Sequence, residues 1–315
     1  MNIPPAAIVP PRIGGGWVAA KPFDLDDNLA YAAWRAKKLE CYPRTIDALR
    51  VPVADLAQST DEEKSALIVR CMRANMVIYA TAPESAAADR DAMRLKLRHF
   101  ASTFGLGHLE AHRSAEDDGI VAIEVTNSQS KRGFIPYTNK PLSWHSDGYY
   151  NPPETPIRAM LLHCVRPAQD GGINALLDPD IAYIRLRDKG RALVAAMMHP
   201  EAMTIPESVE EDGSVRPVST GPVFLIDALG RLTMRYTARA RNIIWRDDDD
   251  TRAAVALLNR LLTHEEEELI IKYKMAAGEG LLSNNVLHTR SAFENCDSAT
   301  RLLYRVRYRE RIAGT

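Results

Sequence analysis

The chain has 315 residues, of which 46% are hydrophobic and 26% are charged, and its formal net charge at pH 7 is -1. This is the composition of an ordinary soluble globular protein. A net charge near zero gives no reason to expect nucleic acid or an anionic membrane as a partner. No apolar run reaches the length needed to span a bilayer, and the N-terminus lacks the basic and apolar segments of a signal peptide.

The cysteine pattern also bears on location. The four cysteines are widely scattered and form no C-x-x-C pair, which argues against a zinc site or a redox pair. We expect them to be free thiols, mostly buried, in a reducing compartment. The protein is therefore predicted to be cytoplasmic.

The N-terminal 16 residues differ in composition from the rest. They hold four prolines and end in three consecutive glycines, a pattern typical of an arm or loop. We interpret residues 1–16 as an N-terminal arm and residues 17–315 as a single domain.

Helical patterns come first along the domain, and short strand patterns dominate after them. Helices are predicted for Asp24–Leu39, from the cap at Thr60 through Cys71, for Met93–Phe104, after Asp178-Pro179 and for Thr251–Leu262. Strands are predicted for Met76–Ala80, Ile120–Val125, Arg132–Thr138, Ile157–Val165, Ile173–Leu177 (after a hairpin turn at Gln169–Gly172), Val223–Ile226 paired with Leu232–Tyr236, Glu268–Met275 and Leu281–His288. The order predicts a mainly β protein with flanking helices, a double-stranded β-helix (cupin-like jelly roll).

Trp144-His145-Ser146-Asp147 is the first candidate site. In an extended strand, residues i and i+2 point to the same face, so His145 and Asp147 could offer two metal ligands. A second segment, Asn284–His288, follows a glycine-rich turn and supplies a further imidazole. Two histidines and one carboxylate form the facial triad that suits non-haem Fe(II). The alternative for His-x-Asp alone is a strand-end turn with a polar cap.

The run Arg301–Tyr308 alternates like a strand, with Arg301 and Arg305 on one face and apolar residues on the other. If the arginine face looks into a barrel, each guanidinium needs a partner, because an unpaired buried charge is costly. A bound dicarboxylate would provide one through a two-pronged pair. The alternative is an edge strand with a solvated basic face. Among the other histidines, His163 lies in mid-strand and could face the barrel interior.

Together these segments resemble the Fe(II)/2-oxoglutarate-dependent dioxygenases of the taurine dioxygenase (TauD/TfdA) type. The resemblance is clear from about Phe134 to Arg309. The matching segments are the His-x-Asp of Trp144–Gly148, the Gly-Gly turn of Gly171–Asn174, the distal-His strand of Gly280–Phe293, and the closing arginines Arg301 and Arg305. The chain departs from the family at Asn174, where the family often has Thr; an amide can still donate to a carboxylate.

The resemblance implies an assignment for each site residue. Fe(II) is held by His145, Asp147 and His288, which makes these the catalytic residues. The co-substrate 2-oxoglutarate pairs with Arg301, assisted by Asn174. The reaction with O2 hydroxylates a substrate C–H bond, or cleaves the substrate through hydroxylation, and releases succinate and CO2. A carboxylate at Asp147 favours oxygenation over halogenation.

The expected substrate is a small anionic or zwitterionic organic molecule. Arg305 matches a position that binds an anionic group in sulfonate-oxidising relatives, although it could instead only balance charge in the wall. Tyr149, Tyr150 and Asn151 are expected to line the entrance, and Arg290 is a further candidate.

Two other function classes remain open from the sequence. One is a non-catalytic, metal-free jelly roll used for binding or regulation, and the other is a cupin-type metalloenzyme that does not use 2-oxoglutarate. The complete ligand set counts against the first, and Arg301 counts against the second. We also expect a homo-oligomer formed through elements outside the barrel.

Overall fold

Two β-sheets that share one core form the centre of the protein. The computed structural model describes residues 21–83, 89–110, 118–126, 135–209, 213–239, 243–263, 268–296 and 300–315. The predicted N-terminal arm therefore lies outside the described residues. The α-helices are α1 (Asn28–Cys41), α2 (Ile46–Leu49), α3 (Asp61–Ala74), α4 (Arg90–Ser102), α5 (Pro179–Lys189), α6 (Arg191–Met198) and α7 (Asp249–Thr263).

The strands are short, as the sequence predicted. They are β1 (Arg50–Pro52), β2 (Met76–Ala80), β3 (Val121–Glu124), β4 (Leu142–His145), β5 (Ala159–Arg166), β6 (Asp170–Gly171), β7 (Asn174–Leu177), β8 (Met203–Ile205), β9 (Ser208–Val209), β10 (Val215–Arg216), β11 (Ser219–Gly221), β12 (Phe224–Ile226), β13 (Leu232–Met234), β14 (Ile244–Trp245), β15 (Ile271–Tyr273), β16 (Glu279–Ser283), β17 (Leu287–Arg290), β18 (Phe293–Glu294) and β19 (Leu302–Tyr308).

The larger sheet has the order β1-β2-β16-β5-β19-β3, and the smaller has the order β15-β7-β17-β4. Only β1 and β2 run parallel within them. The remaining strands form a three-stranded sheet, β11-β8-β14, and the pairs β9–β10, β12–β13 and β6–β18. Two mainly antiparallel sheets packed on each other, with helices outside, confirm the predicted double-stranded β-helix.

Successive side chains along the central strands point to opposite faces of the sheet and so contribute to two separate hydrophobic cores. On β19, Leu303 belongs to the core between the sheets, whereas Tyr304 and Val306 belong to a core beneath α3 and α4. This is the two-face pattern that the sequence predicted for Arg301–Tyr308. His163 of β5 lies on the helix side, where its Nδ1 is 3.1 Å from the hydroxyl of Tyr79. The suggestion that His163 faces the barrel interior is therefore wrong.

Local signals placed several helix ends correctly. Thr60 and Glu63 form a reciprocal capping box at the start of α3, and Asp178 with Pro179 begins α5 as expected. The first helix starts at Asn28 rather than at Asp24, because the Asp27 side chain caps it by accepting from the amide of Ala30.

Three strand predictions need correction. The predicted strand Leu281–His288 is two strands in different sheets, β16 and β17, with Asn285 between them at a left-handed φ of 54°. Gln169–Gly172 is not a hairpin turn, because β5 and β7 lie in different sheets and β6 pairs with β18. The described part of Arg132–Thr138 contains a 3-10 helix over Ile135–Tyr137 and no strand; its first residues lie outside the described part of the chain.

The thiols also differ from expectation. Cys71 and Cys164 are buried, but Cys41 and Cys296 are exposed, so the cysteines are free but not mostly buried. Among the described residues, no helix is long and apolar enough to cross a bilayer.

The buried ammonium group of Lys38 links α1 to the start of α5 through two ion pairs. The Lys38 ammonium lies 2.6 Å from a carboxylate oxygen of both Asp178 and Asp180, and only 7% of its side chain is exposed. We expect Lys38→Met to lower the free energy of unfolding by roughly 3–5 kcal/mol, because it leaves buried carboxylates without their cation. Chemical denaturation measures this, with the exposed Lys37→Met as the matched control. Equal stability of the two variants would contradict the assignment.

Candidate metal centre

Neighbouring strands of the smaller sheet bring the two predicted histidines together. His145 ends β4 and is the register partner of His288 on β17, and their ring centroids are 4.3 Å apart. With Asp147 they form a group whose potential ligand atoms all lie within 4.8 Å of one another. The three residues predicted as ligands are thus adjacent, although 143 positions separate the two histidines in the printed sequence (288 minus 145).

Hydrogen bonds orient both imidazoles. His145 Nδ1 lies 2.8 Å from the carbonyl of Ser143, and His288 Nδ1 lies 3.0 Å from the carbonyl of Val286. A carbonyl can only accept, so each Nδ1 carries the proton and each Nε2 keeps a free lone pair. Backbone partners of this kind fix the tautomer of metal-bound histidines.

The electrostatics keep both rings neutral. Burial, assisted by the like charge of a protonated His288, lowers the pKa of His145 to about 3. Burial also lowers the pKa of His288. Neutral imidazoles are the form that binds a metal ion, so neither histidine has to lose a proton near neutral pH.

Asp147 reaches the group in a different way from the one predicted. The strand ends at His145 and Asp147 lies in the following turn, so the same-face argument does not place it. Instead, the Asn285 side chain holds its backbone. The side-chain oxygen Oδ1 of Asn285 accepts from the backbone N–H of Asp147 at 2.8 Å. The side-chain nitrogen Nδ2 of Asn285 donates to the backbone carbonyl of Asp147 at 2.9 Å.

The two carboxylate oxygens of Asp147 have different surroundings. Oδ1 lies 3.1 Å from Nη1 of Arg305 and 3.6 Å from Nη1 of Arg307. Oδ2 is buried and has no hydrogen-bond partner among the described residues. Burial alone would raise the pKa of Asp147, but the two guanidinium groups outweigh it and hold the pKa well below its usual range. The carboxylate is therefore ionised, with one oxygen free.

An ionised oxygen and two imidazole nitrogens without other partners fit a divalent iron. Together they make the two-histidine, one-carboxylate set, which leaves further positions on the metal open. A buried carboxylate oxygen without a partner is otherwise costly. The donor set of His145, Asp147 and His288 therefore matches the group that the sequence implied.

Asn285 offers a test of how Asp147 is positioned. We expect Asn285→Ala to weaken metal binding and to lower stability by about 1–3 kcal/mol for each buried backbone group left unpaired. Isothermal titration with Co(II) and thermal unfolding measure the two effects. Asn285→Gly is the control, because it tolerates the left-handed φ yet also lacks the amide. Parent-like metal affinity in the glycine variant would show that the amide does not position Asp147.

A polar pocket lies at the start of β7. Its empty volume is about 190 Å³, part of it open to solvent, and it is lined by Gly172, Asn174, Lys274, Arg301 and Cys164, among others. Arg301 is 5% exposed, and no described residue gives its guanidinium a hydrogen bond or an ion pair. Burial lowers its pKa to about 10. The Asn174 amide nitrogen is likewise buried without a partner. These are buried donors without hydrogen-bond partners in one pocket, as an anion site needs.

The Phe293 ring contacts both Arg301 and a second arginine. The guanidinium carbon of Arg301 is 5.0 Å from the ring centroid, and that of Arg290 is 4.7 Å from it. Arg290 also donates to the carbonyls of Thr138 and Lys140, just before β4. Its predicted role in binding substrate stays a prediction.

The other predicted substrate residues lie near Asp147. The Tyr149 ring is edge-on to His145, with centroids 6.3 Å apart. The Tyr150 hydroxyl accepts from Arg307 at 3.0 Å, and the Asn151 amide donates to Glu110 at 2.8 Å. Tyr150 and Asn151 are thus engaged with protein partners, and their contact with substrate stays a prediction.

Sequence reasoning missed three residues of the site. Asn285 and Glu110 carry no pattern that distinguishes them from turn residues. Arg307 could have been found, because it is two positions after Arg305 and so shares its face in a strand. The signal was the same alternation that selected Arg301 and Arg305.

This jelly roll with paired histidines and a carboxylate at one end defines a class of mononuclear iron oxygenase scaffold. The model of the taurine catabolism dioxygenase TauD, TfdA family matches residues 90–307. The chain belongs to this family.

Individual relatives are more distant. A uridine-5'-phosphate dioxygenase from Amycolatopsis sp. is 28% identical over 174 residues, which are 53% of this chain and 60% of that protein. The match thus spans less than two thirds of that relative. An asparagine oxygenase in complex with Fe(II), 2S,3S-3-hydroxyasparagine and succinate aligns with a TM-score of 0.54 and 13% identity, covering 82% of this chain and 93% of the other. The non-heme iron oxygenase OrfP in complex with Fe, succinate and (3S)-hydroxy-L-Arg aligns with a TM-score of 0.56 and 16% identity. That alignment covers 80% of this chain and 81% of the other.

Proposed function

We propose that this protein is an Fe(II)- and 2-oxoglutarate-dependent dioxygenase that hydroxylates a C–H bond of a small anionic or zwitterionic molecule. One observation carries the proposal. His145, Asp147 and His288 bring potential ligand atoms within 4.8 Å of one another, Asp147 has a buried oxygen without a hydrogen bond, and a polar pocket holds the Arg301 side chain. Family membership supports the same activity.

Each residue has a separate task in this reaction. His145, Asp147 and His288 hold Fe(II), which when bound supplies oxygen activation coupled to the oxidative decarboxylation of 2-oxoglutarate. Arg301 pairs with the far carboxylate of 2-oxoglutarate in a two-pronged contact, and Asn174 donates to it. The protein thereby orients the co-substrate before the substrate arrives.

The charge near the metal supports an anionic substrate. Arg305 contacts only one carboxylate among the described residues, that of Asp147, and its Nε is buried without a partner. Because a bound metal ion takes up the Asp147 charge, Arg305 retains donors for an anionic group. The asparagine oxygenase and OrfP are described with bound hydroxylated amino acids, and the Amycolatopsis relative is named for uridine-5'-phosphate. Amino acids and nucleoside phosphates are therefore the first substrate classes to test.

A succinate-release assay tests the proposal. Purified protein with Fe(II), 2-oxoglutarate and O2 is screened against amino acids, nucleoside monophosphates, sulfonates and other organic acids. We expect succinate and a hydroxylated product to form together with at least one class, and neither without iron. Product formation without succinate would favour a cupin-type enzyme. Absence of both metal and 2-oxoglutarate binding would favour a binding protein.

Two further expectations stay predictions. A cytoplasmic location follows from the sequence alone. A homo-oligomer is expected through elements outside the barrel, and sedimentation velocity at micromolar concentration tests it.

A further inference from the structure

A buried polar network extends from Asp147 and shares no residue with the predicted co-substrate pocket. Its centre is Arg307, whose side chain is 4% exposed. The Arg307 guanidinium forms an ion pair with Glu110, donates to the Tyr150 hydroxyl at 3.0 Å and lies 3.6 Å from Oδ1 of Asp147. Glu110 in turn accepts from the Asn151 amide. Arg307 thus has partners independent of Asp147.

The backbone fixes the same arrangement. The Glu110 amide donates to the Arg307 carbonyl at 3.0 Å, and Leu109 bridges to Tyr308, so the Glu110 segment lies against β19. The Ser219 hydroxyl donates to the Asn151 carbonyl at 2.8 Å. Both ends of the network are therefore held by main-chain contacts, which limits how far Arg307 can move.

Arg305 is in a different position. It contacts the same Oδ1 at 3.1 Å, but no second carboxylate holds it among the residues that the structure describes. An anion that binds the other guanidinium nitrogens of Arg305 can draw that side chain away from Asp147. Arg307 remains at Oδ1 in that case, because Glu110 and Tyr150 keep it there.

We propose that Arg307, held by Glu110 and Tyr150, is a positioning residue that keeps Oδ1 of Asp147 occupied, so that the metal binds Oδ2 alone. The inference rests on the proposed function of the site. Its consequence is that Asp147 stays a one-oxygen ligand while Arg305 engages substrate. Without this contact, Oδ1 is free to turn toward the metal and take a position that the co-substrate or oxygen requires.

The test uses Arg305→Met as the background, because that change imitates an Arg305 withdrawn from Asp147. Adding Arg307→Met should raise the coordination number of bound Co(II), because Oδ1 of Asp147 then has no guanidinium beside it and can turn toward the metal. It should also change the visible absorption of bound Co(II), which reports coordination number and symmetry. Adding Glu110→Gln should produce a smaller change in the same direction. Adding Arg309→Met, at an exposed arginine of the same segment, is the matched control.

Stability is followed separately by circular dichroism. If Arg307→Met does not fold, Glu110→Gln/Arg307→Met replaces it, since Glu110 then carries no unpaired buried charge. A Co(II) spectrum in the folded variant identical to that of the Arg305→Met background would overturn the inference and leave the proposed function intact. A parent protein that binds no divalent metal would overturn both.

Discussion

Replacing His145, Asp147 or His288 singly by alanine should abolish turnover and strongly weaken metal binding, while the fold survives. Each change removes one of only three protein ligands, and the remaining two cannot form the facial set. The two histidines lie on paired strands whose backbone hydrogen bonds do not depend on the imidazoles. Asp147→Ala has a further effect, because it leaves Arg305 and Arg307 facing each other without the carboxylate between them.

Metal titration and turnover measured on the same preparations check this result. His108→Ala is the control, since the His108 side chain is 83% exposed and contacts Glu310 at the surface. The control should retain parent affinity and activity. Full activity in two of the three ligand variants would reject the metal assignment.

The second large predicted effect concerns binding of 2-oxoglutarate and distinguishes the role of Arg301 from that of Arg305. Arg301→Ala should raise the 2-oxoglutarate requirement steeply, because it removes a buried two-pronged carboxylate partner. Such a loss costs roughly 2–5 kcal/mol, or about 30-fold to several-thousand-fold in affinity. Arg301→Lys should restore only part of it, because an ammonium cannot form the fork. Arg305→Ala should leave 2-oxoglutarate binding nearly intact and weaken the primary substrate instead.

The structure strengthens this contrast. Arg301 lies in the cavity with Asn174, whereas Arg305 lies against Asp147. Anaerobic titration of 2-oxoglutarate into both variants, followed by the visible charge-transfer band, distinguishes them. If Arg305→Ala loses the band and Arg301→Ala keeps it, the two roles are reversed. If both keep the band, Asn174 with Arg290 becomes the alternative holder.

The three proposed metal ligands could be selected from the sequence because each lies in a short segment with a recognisable pattern. His145 and Asp147 lie two positions apart, and the position of His288 before two arginines completes an ordered pattern. The alternation of Arg301–Tyr308 also gave the correct faces, because a strand between two cores must alternate. These features depend on spacing along one segment, which the sequence displays.

What holds Asp147 could not be predicted in the same way. Its support comes from Asn285, 138 positions along the chain, and depends on the break between β16 and β17. The segment Leu281–Leu287 conceals that break, because β16 is buried along its whole length and shows no alternation that would mark its end. Only the two asparagines, residues able to adopt a left-handed conformation, mark the position. Glu110 is similarly distant from Arg307.

Anaerobic titration of 2-oxoglutarate into the Fe(II)-loaded protein tests the central assignment most directly. We predict a visible charge-transfer band that saturates with one equivalent of 2-oxoglutarate and requires both components. The band should disappear in the His288→Ala variant and persist in His108→Ala. Absence of the band in the parent protein, at iron and 2-oxoglutarate concentrations that saturate known members of the family, would contradict the account.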